Sequence, residues 1–317
     1  MSLFALMLGF LLSGTAVSAQ IECSSKVTRG NPMLIMIRAP EEVETVQVEM
    51  FNSEHISVTQ AFPLRATEDG WQYAALIGLP STLPSGSYGI RVIGRSRDLT
   101  FKYSKVIQVD SKTFAFENIP LDQRLADLLT RKDPKKDEEA RKLYNLLRVF
   151  RSISLFQGDY FSLPVKENKR TAGFGDIRKY TFPNGASMNS VHNGIDFGLI
   201  TGTPVYACAA GRVVFTGQRI TTGYTVIVEH LPGVYSLYFH LDRIIVDDGV
   251  MVNQLQQIGT VGSTGLSTAA HLHWEVRVNG TAVDPEAFIR QEVVDMRRLS
   301  DVLLHIQSSN RKGGDNP

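Results

Sequence analysis

The sequence predicts a mainly β chain in two domains: an N-terminal immunoglobulin-like β-sandwich over residues 20–115 and a C-terminal antiparallel β domain over 158–290. A helical linker over 116–157 joins them, and a helical tail with a disordered end follows over 291–317. Three observations carry that expectation. Short runs alternating apolar and polar residues, broken by turn residues, fill the first part; apolar residues take helical spacing between 120 and 155; and from Phe161 the strand pattern returns with glycine thickening through it. At 317 residues the chain is long enough for two domains that each bury a core. With 33 basic and 32 acidic residues its net charge is +1, so no broad field draws it to nucleic acid or anionic lipid.

Residues 1–12 are apolar and run into Ser13-Gly14-Thr15-Ala16-Val17-Ser18-Ala19, so 1–19 reads as a signal peptide cleaved before Gln20. No later stretch is long and apolar enough to span a membrane. An exported protein, periplasmic or associated with the cell envelope, is expected. The two cysteines, Cys23 and Cys208, are too few for a cysteine-rich metal cluster. Two free thiols are expected, with a disulfide as the alternative that an oxidising compartment allows.

In the first domain, residues 33–37, 45–50, 56–59, 71–77, 88–93, 99–103 and 105–109 read as strands, the count of a small immunoglobulin-like sandwich. Asp69-Gly70 and Pro84-Ser85-Gly86 supply turns. No chemical motif occurs here, and His55 is expected at the surface. Packing, spacing or docking a cell-envelope protein partner is the role left to this domain. In the linker, Leu121, Leu125, Leu128 and Leu129, then Ala140, Leu143, Leu146, Leu147 and Phe150, predict two helices. The charged, proline-bearing break over 131–139 is expected to be a solvated turn.

In the second domain, 202–206 and 211–217 read as consecutive strands, and 224–230 with 234–240 as a hairpin about Leu231-Pro232-Gly233. Residues 257–262 form a short strand closed by glycine, and Ser263-Thr264-Gly265 opens a loop toward His271. Asp284-Pro285-Glu286 starts the helical tail, on which His305 is expected to be solvated.

The chemistry concentrates in two places. His271 and His273 are two apart in a strand-like run, so both project from one face while Leu272 and Trp274 turn to the core. His192 and Asp196 are four apart with Gly194 between, and glycine lets the backbone bend until imidazole and carboxylate converge. A lone strand histidine is usually structural; the coincidence of two such pairs is what points to a metal. A catalytic zinc takes three N or O ligands and keeps one position for water. His192, Asp196 and one histidine of the second pair meet that count, and the remaining histidine stands ready to take a proton. His240 is a candidate to support charge on the carbonyl under attack.

The run from Gly173 to Asp284 resembles the lysostaphin-type (LytM-like) zinc metallopeptidases of cell-wall metabolism. The likeness lies in Gly173-Phe174-Gly175, His192-Asn193-Gly194-Ile195-Asp196, Gly202-Thr203-Pro204-Val205, Tyr238-Phe239-His240-Leu241 and His271-Leu272-His273-Trp274-Glu275. The resemblance implies that His192, Asp196 and His273 hold Zn2+ and that His240 and His271 are the catalytic histidines. It also implies a compact antiparallel β metallopeptidase domain with a groove over the metal. Cys208 and Phe239 depart from the family's usual small residues, at positions expected to stay clear of the chemistry. His230 reads as structural. Arg178 is expected to pair at the surface, a place in the groove being the other account.

The function so implied is zinc-dependent hydrolysis of peptide cross-links in peptidoglycan, with the peptidoglycan peptide as partner. The alternative is a non-catalytic cell-wall adaptor that uses the same groove to bind, or to activate another hydrolase. Relatives of that kind have usually lost ligands, whereas this chain keeps all five positions. A purely structural envelope protein would leave the histidines idle.

Overall fold

The computed structural model describes residues 20–290 apart from 55, 68–69, 98–99 and 155–159, and beyond them residues 293, 294, 296 and 299. The expected leader, His55, His305 and most of the expected tail lie outside the described residues.

Strands β1 (Gln20–Glu22), β2 (Lys26–Thr28), β3 (Pro32–Ala39), β4 (Thr45–Phe51), β5 (Ile56–Gln60), β6 (Phe62–Thr67), β7 (Gly70–Gly78), β8 (Gly86–Arg95) and β9 (Thr100–Asp110) build two sheets. One runs β1-β3-β7-β6 and the other β2-β9-β8-β4-β5. Alternate side chains of β3, Met33, Ile35 and Ile37, meet Val46, Val48 and Met50 of β4 and Ile90 and Val92 of β8 in one core. Three strands here escaped the sequence reading. β1 and β2 are too short to show a period, and Pro63 interrupts β6, where the ladder with β7 shifts register. The two runs expected over 99–103 and 105–109 are one strand, because Ser104 stays in the ladder opposite Arg91.

The linker carries β10 (Phe116–Pro120), α1 (Gln123–Thr130) and α2 (Pro134–Leu146). The C-terminal domain continues with β11 (Arg170–Ala172), β12 (Ile177–Thr181), β13 (Ser187–Val191), β14 (Ile195–Phe197), β15 (Pro204–Tyr206) and β16 (Gly211–Arg219). It ends with β17 (Gly223–Leu231), β18 (Val234–Ile244), β19 (Met251–Val252), β20 (Gln257–Val261), β21 (Leu272–Val278) and β22 (Thr281–Val283). The linker is less helical than expected: β10 lies parallel to β12 in a small sheet ordered β10-β12-β13. The charged run expected as a solvated turn is mostly the first turns of α2. Asp133 caps that helix at Lys135 N, and Pro134 takes a first-turn position where no N–H is missed. Beyond Val283 the described residues include a short 3-10 turn, Pro285–Phe288, capped by Asp284, then further turns and a helical Leu299.

The main sheet runs β11-β14-β21-β18-β17-β16-β19, with β15, β20 and β22 attached. β17 and β18 make the expected hairpin, closed by Pro232 and by Gly233 at φ 74°. Leu272 and Trp274 are fully buried on the face opposite the histidines. The N-terminal domain shares this core, since Phe62 and Leu76 lie in one apolar cluster with Val276, Val278 and Val283. Asn279 Nδ2 stitches the junction, donating to Thr59 Oγ1 (2.8 Å) and Leu76 O (3.0 Å). Both cysteines are free thiols; Cys208 is sealed in the core, where burial pushes its pKa up to about 11.

Candidate metal centre

Sheet register assembles the centre. Asp196 on β14 lies opposite His273 on β21, and His273 lies opposite Phe239 on β18, so three adjacent strands deliver one row of side chains. His192 enters from the turn between β13 and β14. Its backbone N donates to Asp176 O (2.8 Å), and its Nδ1–H donates to Gly173 O (2.7 Å). Asp176 holds the same loop from within, accepting from Gly173 N at 2.7 Å and Ala115 N at 3.2 Å.

Three atoms able to ligate a metal then converge. His192 Nε2 lies 3.1 Å from Asp196 Oδ1 and 3.0 Å from His273 Nδ1, and the last two are 2.7 Å apart. All three residues are buried. Carbonyl and carboxylate oxygens accept, so the bond to Gly173 O puts the proton of neutral His192 on Nδ1. The bond from His273 Nε2 to Glu275 Oε1 (2.9 Å) does the same at the far side of that ring. With a cation between them the inward atoms would be two imidazole lone pairs and a carboxylate oxygen; without one, a proton on His273 Nδ1 joins that ring to Asp196 Oδ1 at 2.7 Å. Ligands of a tetrahedral ion bound at about 2.0–2.1 Å stand roughly 3.3 Å apart, so a zinc ion fits with an opening of a few tenths of an ångström.

The electrostatics of the cluster follow. Burial works to raise the Asp196 carboxyl, but His273 and His192 beside it outweigh that and hold it well below the usual carboxylate range. For His273, burial opposes the charged form, yet Asp196 and Glu275 prevail and lift it to about 9. Glu275 is brought down to about 2 by Arg277 and His273 against the effect of burial.

His240 and His271 stand over this triad. His271 Nε2 lies 3.8 Å from Asp196 Oδ1, and its Nδ1–H donates to Ala269 O (2.8 Å) with Ser267 Oγ at 3.2 Å. His240 Nδ1–H donates to Thr264 O (2.7 Å), so one loop orients both rings. The rings are 4.8 Å apart between centroids. His240 sits inside β18 at φ 59°, a left-handed conformation uncommon outside glycine. Consecutive strand residues normally face opposite ways; this twist lets both Phe239 and His240 approach His273, with centroids 5.3 and 6.1 Å away. Burial and the neighbouring His271 and His273 push the His240 pKa down to about 3, and burial lowers that of His271.

Residues 190–285, which hold all five of these side chains, match the model of Peptidase family M23. This segment is an M23 peptidase domain. The M23 domain is 44% identical over 95 residues to the DD-carboxypeptidase/endopeptidase Mpg of Neisseria meningitidis serogroup B, a match covering 30% of this chain and 22% of that protein. It is 36% identical over 114 residues to the peptidoglycan DD-endopeptidase ShyB of Vibrio cholerae, covering 36% of this chain and 26% of that one. The matched stretch is thus a minor part of each relative's length. A crystal structure of an M23 peptidase from Pseudomonas aeruginosa shares the fold with a TM-score of 0.57 at 24% identity, over 83% of this chain and 94% of that one. That likeness reaches beyond the M23 domain into the N-terminal sheets.

Three features of the centre go beyond the sequence reading. Phe239, expected to stay clear of the chemistry, stacks face to face on His273 with 3° between the planes. Arg178, expected at the surface, has a side chain only 14% exposed and pairs with Asp196. Gly194 lies in a bend, as expected, and is required for close approach as well. A Cβ there would meet Trp274 O at 2.4 Å and His273 Nε2 at 2.9 Å. Glu275 was legible, because it continues the two-residue period of His271 and His273. Replacing Gly194 by alanine is expected to cost about 2 kcal/mol, since such overpacking typically costs ~1–3 kcal/mol. The check is the urea midpoint at unchanged m-value; an unmoved midpoint would mean that β14 and β21 have room to separate.

Proposed function

We propose that this chain is an exported, zinc-dependent endopeptidase that hydrolyses peptide cross-links in peptidoglycan. The observation that carries the reading is the convergence of His192 Nε2, Asp196 Oδ1 and His273 Nδ1 beside two further histidines held by a common loop. The names of the relatives, carboxypeptidase/endopeptidase and peptidoglycan DD-endopeptidase, supply the substrate class. His192, Asp196 and His273 would hold the ion. Bound zinc supplies Lewis acidity toward a peptide carbonyl and brings the pKa of water toward neutrality.

The remaining work belongs to the histidines. His271 offers an unprotonated Nε2, because its Nδ1–H is committed to Ala269 O, and it takes the proton of the attacking water there. At 17% side-chain exposure it is also more open to an incoming substrate than the three proposed ligands. His240 commits its own Nδ1–H to Thr264 O, so it supports a negatively charged oxygen only once Nε2 is protonated. Its depressed pKa keeps it neutral beforehand; as negative charge develops on the carbonyl, the proton that His271 took from water would be shared with His240 across the 4.8 Å between the rings. That one proton then passes to the leaving amine.

Export suits a substrate outside the cytoplasm, and residues 1–19 would direct it. Among the described residues no helix is long and apolar enough to cross a membrane. The N-terminal domain, fixed to the M23 domain through a shared core, would act as a docking arm for a cell-envelope protein. Zinc content of the purified chain, with mass analysis of fragments released from native sacculi, tests the reading. Stoichiometric zinc and conversion of cross-linked peptides to uncrossed ones are expected. Intact sacculi after treatment with the zinc-loaded protein would favour the adaptor.

A further inference from the structure

Asp196 divides its two oxygens. Oδ1 faces His192 and His273, whereas Oδ2 accepts from Arg178 Nη2 at 2.5 Å. The same guanidinium donates through Nε to Glu117 Oε2 at 3.0 Å. Glu117 lies on the linker strand β10, directly opposite Arg178 of β12 in the parallel ladder. A chain of charges therefore runs from the linker to the centre.

We propose that Arg178 is a positioning residue that locks Asp196 into presenting a single oxygen to the metal, and that Glu117 is the counter-ion that makes a fixed cation tolerable there. The proposal rests on reading His192, Asp196 and His273 as the zinc site. Without Arg178 the carboxylate would be free to turn about its terminal bond, leaving Oδ2 buried without this partner. A guanidinium so near a dication would also repel it; the Glu117 carboxylate cancels most of that charge, so the ion meets a nearly neutral pair. Lysine is no substitute, because a point ammonium lacks the planar fork that serves two carboxylates in fixed directions. The competing account is that the pair only pins β10 to β12. That task is already served by the backbone ladder from Phe116 to Pro120, and it predicts lost stability with unchanged metal affinity.

The test is Zn2+ affinity of the metal-free full chain, read by competition with a chromogenic chelator, with the melting temperature of each metal-free variant alongside. Arg178→Gln is expected to weaken binding by about 10–100-fold, the usual effect of losing a partner of a ligand. Glu117→Gln should weaken it less and in the same direction, because Arg178 keeps its place but gains an uncompensated charge. The double variant leaves net charge unchanged and should still bind about 10-fold or more weakly, which separates position from charge. Wild-type affinity in both Arg178→Gln and the double variant would overturn the proposal. Should Arg178→Gln fail to fold, Arg178→Lys decides: weaker binding supports positioning, and wild-type affinity overturns it. A wild-type chain that binds no Zn2+ overturns the zinc reading and this inference together, whereas wild-type binding with indifferent variants overturns only the inference.

Discussion

His271→Ala is expected to lower peptidoglycan turnover by roughly 10²–10⁴-fold, the range that a positioned acid–base group contributes, while zinc content stays at the wild-type level. The separation of effects follows from geometry. His271 is not one of the three atoms that converge; its Nε2 stands 3.8 Å from Asp196 Oδ1, and its other nitrogen is committed to Ala269 O. Removing the ring therefore leaves His192, Asp196 and His273 with their own partners, Gly173 O, Arg178 and Glu275. His271 is also the more exposed of the loop-held pair, so its loss opens little buried space. Turnover of a purified cross-linked muropeptide, measured beside metal content, gives the check. A variant that loses zinc would make His271 a ligand, and one that keeps the wild-type rate would remove it from proton transfer.

How much of this was legible in the sequence depends on how local each determinant is. The pairs His192/Asp196 and His271/His273 stood out because each lies within one turn or one strand, and a two-residue period forces its members to one face. That the pairs meet depends on β14 lying beside β21, which no local pattern encodes; only the resemblance of the ordered motifs supplied it. Arg178 was misplaced for the same reason. Its partners are 18 and 61 residues away, and one of them sits on a strand hidden in what reads as a helical linker. Phe239 was missed because the alternation rule sends it away from His240's face. The left-handed backbone at His240 cancels that rule, and nothing in Tyr238-Phe239-His240-Leu241 announces it. The charged run that opens α2 misled because proline breaks helices internally but is favoured in their first turn.

Asp196→Asn is expected to abolish zinc binding and activity while leaving a well-folded protein. An asparagine has the carboxylate's shape but only one oxygen, and two sets of neighbours compete for it. Facing that oxygen toward the metal would set the amide NH2 against the Arg178 guanidinium, donor against donor. Flipped, the oxygen accepts from Arg178, and the NH2 donates to the lone pairs of His192 Nε2 and His273 Nδ1, which lie 3.1 and 2.7 Å from Asp196 Oδ1 in the native centre. The flipped rotamer satisfies every partner and plugs the place where the ion would sit with a group that cannot ligate. Metal-free Asp196→Asn should melt somewhat lower than metal-free wild type, since it gives up the buried ion pair that Asp196 makes with protonated His273 when no metal is bound. Wild type should fall in melting temperature when a chelator strips its zinc, because an ion bound only by the folded state stabilises it by mass action; the variant should not respond. Elemental analysis with melts in the presence and absence of chelator reads both halves. Stoichiometric zinc retained by the asparagine variant would take Asp196 out of the ligand set, and a chelator-insensitive wild type would mean that the cluster is held together without a metal.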